Sequence, residues 1–210
     1  CFHPVLCRLT LHLFAGGNLV NDAGQPVRAT VNTATGEVWV RADHHRFTAE
    51  QLTRHEAGHV RIEQANAGLT AKDFTNRKDA VSRVMDHLTR RYGAEDVDLA
   101  LDLYRSLYEG CGMTDEQIRT ELVCDALGGM NVFEDTGRAA AIAPLLEGAA
   151  TAAGEVLDNG TRAPPSKGGV RYSGETNPYD GKNLAEDSEV YDYDFLASLP
   201  DMNVTVLPDV

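Results

Sequence analysis

The chain has 210 residues, of which 42% are hydrophobic and 24% are charged, the composition of an ordinary globular protein. Its 19 Lys and Arg against 32 Asp and Glu give a net charge of −13, which argues against binding to nucleic acid through bulk charge. The sequence contains no continuous apolar run of about 18 residues or more, which argues against a membrane-spanning helix. We therefore expect neither a nucleic acid nor a membrane among its partners.

The first residues and the cysteines bear on the cellular compartment. The chain opens without the basic region that begins a signal peptide, so we expect a cytoplasmic protein. Its four cysteines form no CxxC pair, which favours free thiols over a zinc knuckle or a redox motif. Because the sequence does not begin with Met, we also expect it to be a segment of a longer protein, fused to further domains.

The N-terminal part predicts a small β-sheet. Residues 9–14 alternate weakly between apolar and polar side chains. Residues 27–32 and 37–41 are strand-like and flank a short turn that contains Gly36. Two such segments around a glycine-containing turn predict a hairpin.

Five helices are predicted after this sheet. The first and the fourth begin with a capping box, formed by Thr48 with Gln51 and by Thr114 with Gln117. The predicted helices cover residues 49–67, 76–92, 95–109, 115–128 and 136–157, and Pro144 is expected to break or kink the last one. The pattern predicts an α+β fold in which a small N-terminal sheet precedes a mainly helical body.

The composition changes near residue 159. From there on Gly and Pro pairs punctuate the sequence, and acidic residues predominate in its middle part. We therefore predict one domain over residues 1–158 and an acidic, poorly ordered linker or tail over residues 159–210. Residues 204–207 are expected to be the first strand of a following domain.

The sequence His55-Glu56-Ala57-Gly58-His59 is an HExxH motif, and it lies inside the first capped helix. Histidines four residues apart on a helix lie on one face, about a turn apart, where both can bind one tetrahedral zinc ion. Glu56 lies beside them and is the candidate general base for a zinc-bound water. The sequence therefore predicts a Zn²⁺ cofactor held by His55 and His59.

A catalytic zinc site needs a third protein ligand, which leaves one position for water. Glu121, Asp79 and Glu63 are the candidates. Glu121 is favoured because Asp125 lies four residues further along the same helix and would share its face. Asp125 would then accept the remaining ring N–H of a zinc-bound histidine. No oxyanion-stabilising residue can be assigned from the sequence.

An HExxH helix followed on a separate helix by Glu-x-x-x-Asp resembles the gluzincin metallopeptidases. The separation before the segment ELVCDALG is similar to that in the CAAX-processing and stress-induced membrane peptidases. Residues 28–59 also resemble small zincin domains embedded in multidomain proteins of phages and mobile elements. The resemblance covers roughly residues 27–130 and is most specific at the HEAGH segment.

The resemblance implies a zinc metalloendopeptidase acting on peptides or proteins. It implies His55, His59 and Glu121 as zinc ligands, Glu56 as general base and Asp125 as the group that orients a ligand. It also implies that residues 37–41 form an edge strand that pairs with an extended substrate. Two alternatives stay open: a catalytically silent zincin-like module that recognises a partner, and a structural segment of a phage or mobile-element protein.

Overall fold

The computed structural model describes residues 9–14, 19, 27–44, 46–158 and 202–206 of the chain. The elements in chain order are β1 (Leu9–Phe14), β2 (Ala29–Asn32), β3 (Glu37–Arg41), α1 (Ala49–Asn66), α2 (Ala71–Thr75), α3 (Ala80–Tyr92), α4 (Ala94–Leu107), α5 (Asp115–Gly128), α6 (Thr136–Asp158) and β4 (Met202–Val206). The predicted α+β fold, with a small sheet and a mainly helical body, is confirmed.

The chain divides into two compact units. The first contains Cys1–Ala57 and Pro164–Val210, and the second contains Gly58–Ala163. The division falls inside α1, which is one uninterrupted helix, so α1 contributes residues to both units.

The sheet belongs to the first unit and has the order β2-β3-β1-β4. β1 is parallel to both β3 and β4, whereas β2 and β3 form an antiparallel hairpin. The expectation that residues 37–41 form an edge strand is wrong, because β3 pairs with β1 on one side and with β2 on the other. A parallel partner distant in sequence leaves no local signal in the strand that it covers.

The predicted strand near the end of the chain is present, as β4, but its partner is β1 rather than a strand of a following domain. Apart from this strand, the predicted acidic tail of residues 159–210 lies outside the described residues.

Alternation along β1 and β3 gives the sheet a buried patch on one face. Leu11 and Leu13 lie opposite Val38 and Val40 in the register, and all four side chains are buried. Apolar residues at every second position of paired strands stack on the same face, which here forms part of the core of the first unit.

The first capping box forms as predicted at the start of α1. The backbone N–H of Gln51 donates to Thr48 Oγ1, and the backbone N–H of Thr48 donates to Gln51 Oε1, each at 3.1 Å. The second box closes in the same way, with Thr114 and Gln117 at the start of α5. These caps fix where the two helices begin, which matters because both carry predicted site residues.

The predicted helix over residues 76–92 begins too early. Asn76 ends the short helix α2, and Arg77 has a left-handed φ of 57°. α3 begins only after Asp79, whose Oδ1 accepts the backbone N–H of Ser82 at 2.8 Å. Apolar periodicity alone did not separate α2 from α3, whereas the cap at Asp79 does.

The predicted break at Pro144 is wrong, since α6 continues through this residue. Among the described residues, α6 is also the one helix whose length and composition would allow it to cross a membrane, with a mean hydropathy of 1.3 over Thr136–Leu157. Half of this window is buried, and Ala149, Ala152 and Ala153 are fully buried in the second unit. This pattern is typical of a core helix.

Candidate metal centre

The HExxH segment lies in the middle of α1. His55 and His59 are four residues apart on this uninterrupted helix, so their imidazoles project from the same face on successive turns. His55 is buried, and His59 is 19% exposed at its side chain. This arrangement leaves one of the two rings accessible to solvent and the other enclosed.

Glu121 reaches the same place from α5. Its Oε1 lies 3.6 Å from His59 Nε2. One candidate ligand atom from each of His55, His59 and Glu121 lies within 4.8 Å of the other two, so the three side chains could hold a metal ion. Among the residues that the structure describes, no other set of three histidine, cysteine or carboxylate side chains has such spacing.

Gly58 allows α1 and α5 to approach closely. A Cβ atom at this position would lie 3.1 Å from Leu127 Cδ1 and 3.2 Å from Cys124 Sγ. A larger side chain at position 58 would therefore press on the helix that carries Glu121.

Buried polar side chains are concentrated at the predicted site. Those of the described residues are Thr53, His55, Glu56, Asp79 and Asp125. Burying a carboxylate or an imidazole costs free energy unless it is paired or has a function, so such residues are candidates for a functional site. His55, Glu56 and Asp125 among them are residues that the sequence predicts for the zinc site.

Asp125 is 1% exposed, and its Oδ2 accepts a 2.9 Å hydrogen bond from the hydroxyl of Tyr104, which is fully buried on α4. Burial, and after it the charge of Asp125, raises the pKa of the Tyr104 phenol far above its ordinary value. The phenol therefore stays protonated and acts as a donor. The predicted acceptance of a histidine N–H by Asp125 stays a prediction.

Tyr108, one turn beyond Tyr104, lies beside Glu121. Its hydroxyl oxygen is 3.5 Å from Glu121 Oε2, at the long end of hydrogen-bond distances. No motif in the sequence assigns a role to Tyr104 or Tyr108. The available signal was their spacing of four residues, which matches the spacing of Glu121 and Asp125 on the next helix.

The two other candidate ligands lie elsewhere. Asp79 is buried as the N-cap of α3, where its carboxylate accepts the Ser82 N–H. Glu63 is exposed on the last part of α1. Neither belongs to the metal-capable group.

Two further histidines have other surroundings. His44 Nδ1 accepts the backbone N–H groups of Arg46 and Phe47, each at 3.2 Å, and so stabilises the turn before α1. His87 lies on α3 with Arg83 and Arg90 in an open groove. His45 lies outside the described residues.

Comparison of the chain with protein-family models, with curated proteins and with solved structures finds no match. The chemistry of the site itself is therefore what indicates a function.

Proposed function

We propose that the protein is a zinc-dependent metalloendopeptidase of the gluzincin type, which hydrolyses peptide bonds in a peptide or protein substrate. The observation that carries the proposal is the convergence of His55, His59 and Glu121, together with the buried carboxylate of Glu56 on the same helix. Two imidazoles and one carboxylate form a ligand set found in catalytic zinc sites, which leaves the fourth position for water.

The spacing of the three side chains fits this ion. Ligand atoms at about 2.0–2.2 Å from zinc in a tetrahedron lie roughly 3.3–3.6 Å from one another. The 3.6 Å between His59 Nε2 and Glu121 Oε1 already matches this value. The other distances within the group are at most 4.8 Å, and the side chains would have to close the difference when the ion binds.

When bound, zinc would lower the pKa of a water molecule and polarise the scissile carbonyl. Glu56 would take the proton of that water and donate it to the departing amine, which is the work of a general base that then acts as an acid. His55, His59 and Glu121 would hold the ion, and none of them is needed for proton transfer. Metal binding and proton transfer are therefore assigned to different residues.

The burial of Glu56 also bears on the alternative of a catalytically silent module. Such a module could keep the three ligands for stability, but it would gain nothing from a buried, unligating carboxylate at position 56. A silent module needs only the ligands, whereas hydrolysis also needs a base within reach of a zinc-bound water, which is the role proposed for Glu56.

The decisive experiment compares Glu56→Gln with Glu63→Gln. Both substitutions remove one carboxylate from α1, but Glu63 is exposed and outside the metal-capable group. Zinc content is measured after chelation and reconstitution, and cleavage is followed with unfolded casein and a fluorogenic peptide library. We expect stoichiometric zinc in all three proteins and a loss of cleavage of roughly 10²- to 10⁴-fold in Glu56→Gln alone.

Absence of bound zinc in the reconstituted wild type would overturn the proposal. Cleavage by Glu56→Gln at the wild-type rate would overturn the role of Glu56. Stoichiometric zinc without cleavage of any probe would favour the silent module.

A further inference from the structure

We propose that Tyr108 is a positioning residue for Glu121, which it holds so that only one carboxylate oxygen faces the metal position. The inference rests on the proposed metal centre and assigns a function to a residue outside its ligand set. It comes from the packing of α4 against α5, where phenol groups meet carboxylates at two successive turns.

The two helices present matching side chains. Tyr104 and Tyr108 lie four residues apart on α4 and its C-terminal end, and Glu121 and Asp125 lie four residues apart on α5. Tyr108 meets Glu121, and Tyr104 meets Asp125, so the helices run in opposite directions and each pair occupies one turn. The hydroxyl of each tyrosine can donate to the carboxylate that it faces.

The two oxygens of Glu121 have different neighbours. Oε1 lies 3.6 Å from His59 Nε2, whereas Oε2 lies 3.5 Å from the Tyr108 hydroxyl oxygen. A donor on Oε2 keeps the carboxylate plane fixed and makes binding through both oxygens unfavourable. Hydrogen bonds at catalytic sites are often long before the ligand is present, so we expect this contact to shorten when metal binds.

Contacts with neighbouring residues hold Tyr108 in place. It is the C-cap of α4, and its backbone N–H donates to the carbonyl of Tyr104 at 3.0 Å. The Tyr104 ring packs edge-on against Phe133 with a centroid distance of 5.5 Å, and it contacts the Tyr108 ring at 6.4 Å. A fully buried neighbour therefore fixes the end of the helix from which the Tyr108 phenol reaches Glu121.

The energetic reason for such a residue is the flexibility of glutamate. A free glutamate side chain loses rotamer entropy when it is held in one conformation. A donor that orders Glu121 before metal arrives removes part of that cost from the binding step. Residues that orient metal ligands in this way typically change metal affinity by about 10- to 100-fold when they are removed.

The test compares Tyr108→Phe with Tyr92→Phe. Both substitutions remove one phenol oxygen from a half-buried tyrosine, but Tyr92 lies on α3 against Gly148, away from the ligand group. Zinc affinity is measured by competition with a chromogenic chelator, and the absorption spectrum of the Co²⁺-substituted protein reports the coordination number. We expect Tyr108→Phe to bind zinc about 10-fold more weakly and its cobalt bands to lose intensity, as bidentate binding raises the coordination number.

Equal zinc affinities and identical cobalt spectra for Tyr108→Phe and the wild type would overturn the inference, while stoichiometric zinc in the wild type would leave the proposed function standing. A wild type that binds no metal would overturn both. Tyr92→Phe is expected to match the wild type in both measurements, and an equal loss in this variant would assign the effect to general loosening of the helices and overturn the inference.

Discussion

Two groupings of polar side chains among the described residues can be compared, one on α1 and α5 and one on α3 and α6. In the first, His55, Glu56 and Asp125 are buried, and three ligand atoms converge within 4.8 Å. In the second, side chains of similar chemistry line an open groove of about 270 Å³, namely Arg83, Asp86, His87, Arg90 and Glu155. They are exposed or half-buried, and Asp86 accepts a hydrogen bond from Arg77.

The difference shows what distinguishes a candidate site from a charged surface. Exposed charges are compensated by solvent and by partners of opposite sign, so their presence requires no function. Buried ones persist against a desolvation cost and therefore need an explanation. Convergence and burial, rather than residue type, select the first grouping.

We expect the largest effect when a histidine of the first grouping is removed, and removal of a histidine of the second grouping serves as the control. His59→Ala should weaken zinc binding by more than the roughly 10- to 100-fold that loss of an outer hydrogen-bonding partner costs, because a direct ligand is lost. His87→Ala should leave zinc affinity unchanged. Isothermal titration of the metal-free proteins measures both, and equal losses in the two variants would contradict the distinction drawn between the groupings.

The second comparison concerns stability. Tyr104→Phe removes a donor from the carboxylate of Asp125, which is 1% exposed, and should lower the free energy of unfolding by about 1–3 kcal/mol. Asp86→Asn weakens an exposed pair with Arg77 and should cost about 1 kcal/mol or less. Urea unfolding of the metal-free proteins at pH 7 provides both values. A larger loss in Asp86→Asn would contradict the expectation that the buried pair contributes more to stability than the exposed one.

A third prediction uses a half-buried histidine outside both groupings. His12 in the sheet stacks on Trp39 with a centroid distance of 4.0 Å, and burial lowers its pKa, an effect that Glu37 only partly opposes. Below the ordinary histidine pKa of 6.5 the unfolded chain binds a proton at this position before the folded protein does. Stability of the first unit should therefore fall as the pH drops through 6.5, by up to about 1.4 kcal/mol per pH unit, until the lowered pKa is reached.

Trp39 is the one tryptophan of the chain, so its fluorescence reports the unfolding of this sheet directly. Urea titrations at pH 7 and pH 5.5 should show a smaller difference in His12→Asn than in the wild type. An equal difference in both proteins would assign the acid sensitivity to other groups.

The sequence predicted the elements that local chemistry determines. The capping boxes at Thr48 and Thr114, the hairpin turn and the positions of the two site helices all depend on residues only a few positions apart. The metal-capable trio followed from helix periodicity together with the known chemistry of zinc ligands. Whether these residues act as ligands and base stays a prediction.

The features that the sequence did not predict depend on contacts between distant segments. The pairing of β1 with β3 and β4 joins strands far apart in the chain, so no local pattern shows that β3 has a partner on each side. α6 continues through Pro144 and packs against α3 and α5, and no local pattern reports this packing. The tyrosines facing Glu121 and Asp125 could be paired with them only after the register of α4 and α5 was known.

The smallest expected effect tests the close approach of α1 and α5, with Gly58→Ala compared with Gly154→Ala. Both changes should gain up to about 1 kcal/mol from the higher helix propensity of alanine. At Gly58 the new Cβ meets Leu127 and Cys124 at 3.1–3.2 Å, and such overpacking costs about 1–3 kcal/mol, whereas at Gly154 it meets nothing within 4 Å. Thermal unfolding should therefore show a net loss of stability for Gly58→Ala and a net gain for Gly154→Ala.

The same pair of variants tests the metal centre. Because α5 carries Glu121, only Gly58→Ala should also weaken zinc binding. A stabilised Gly58→Ala with wild-type zinc affinity would mean that the metal centre does not depend on this contact.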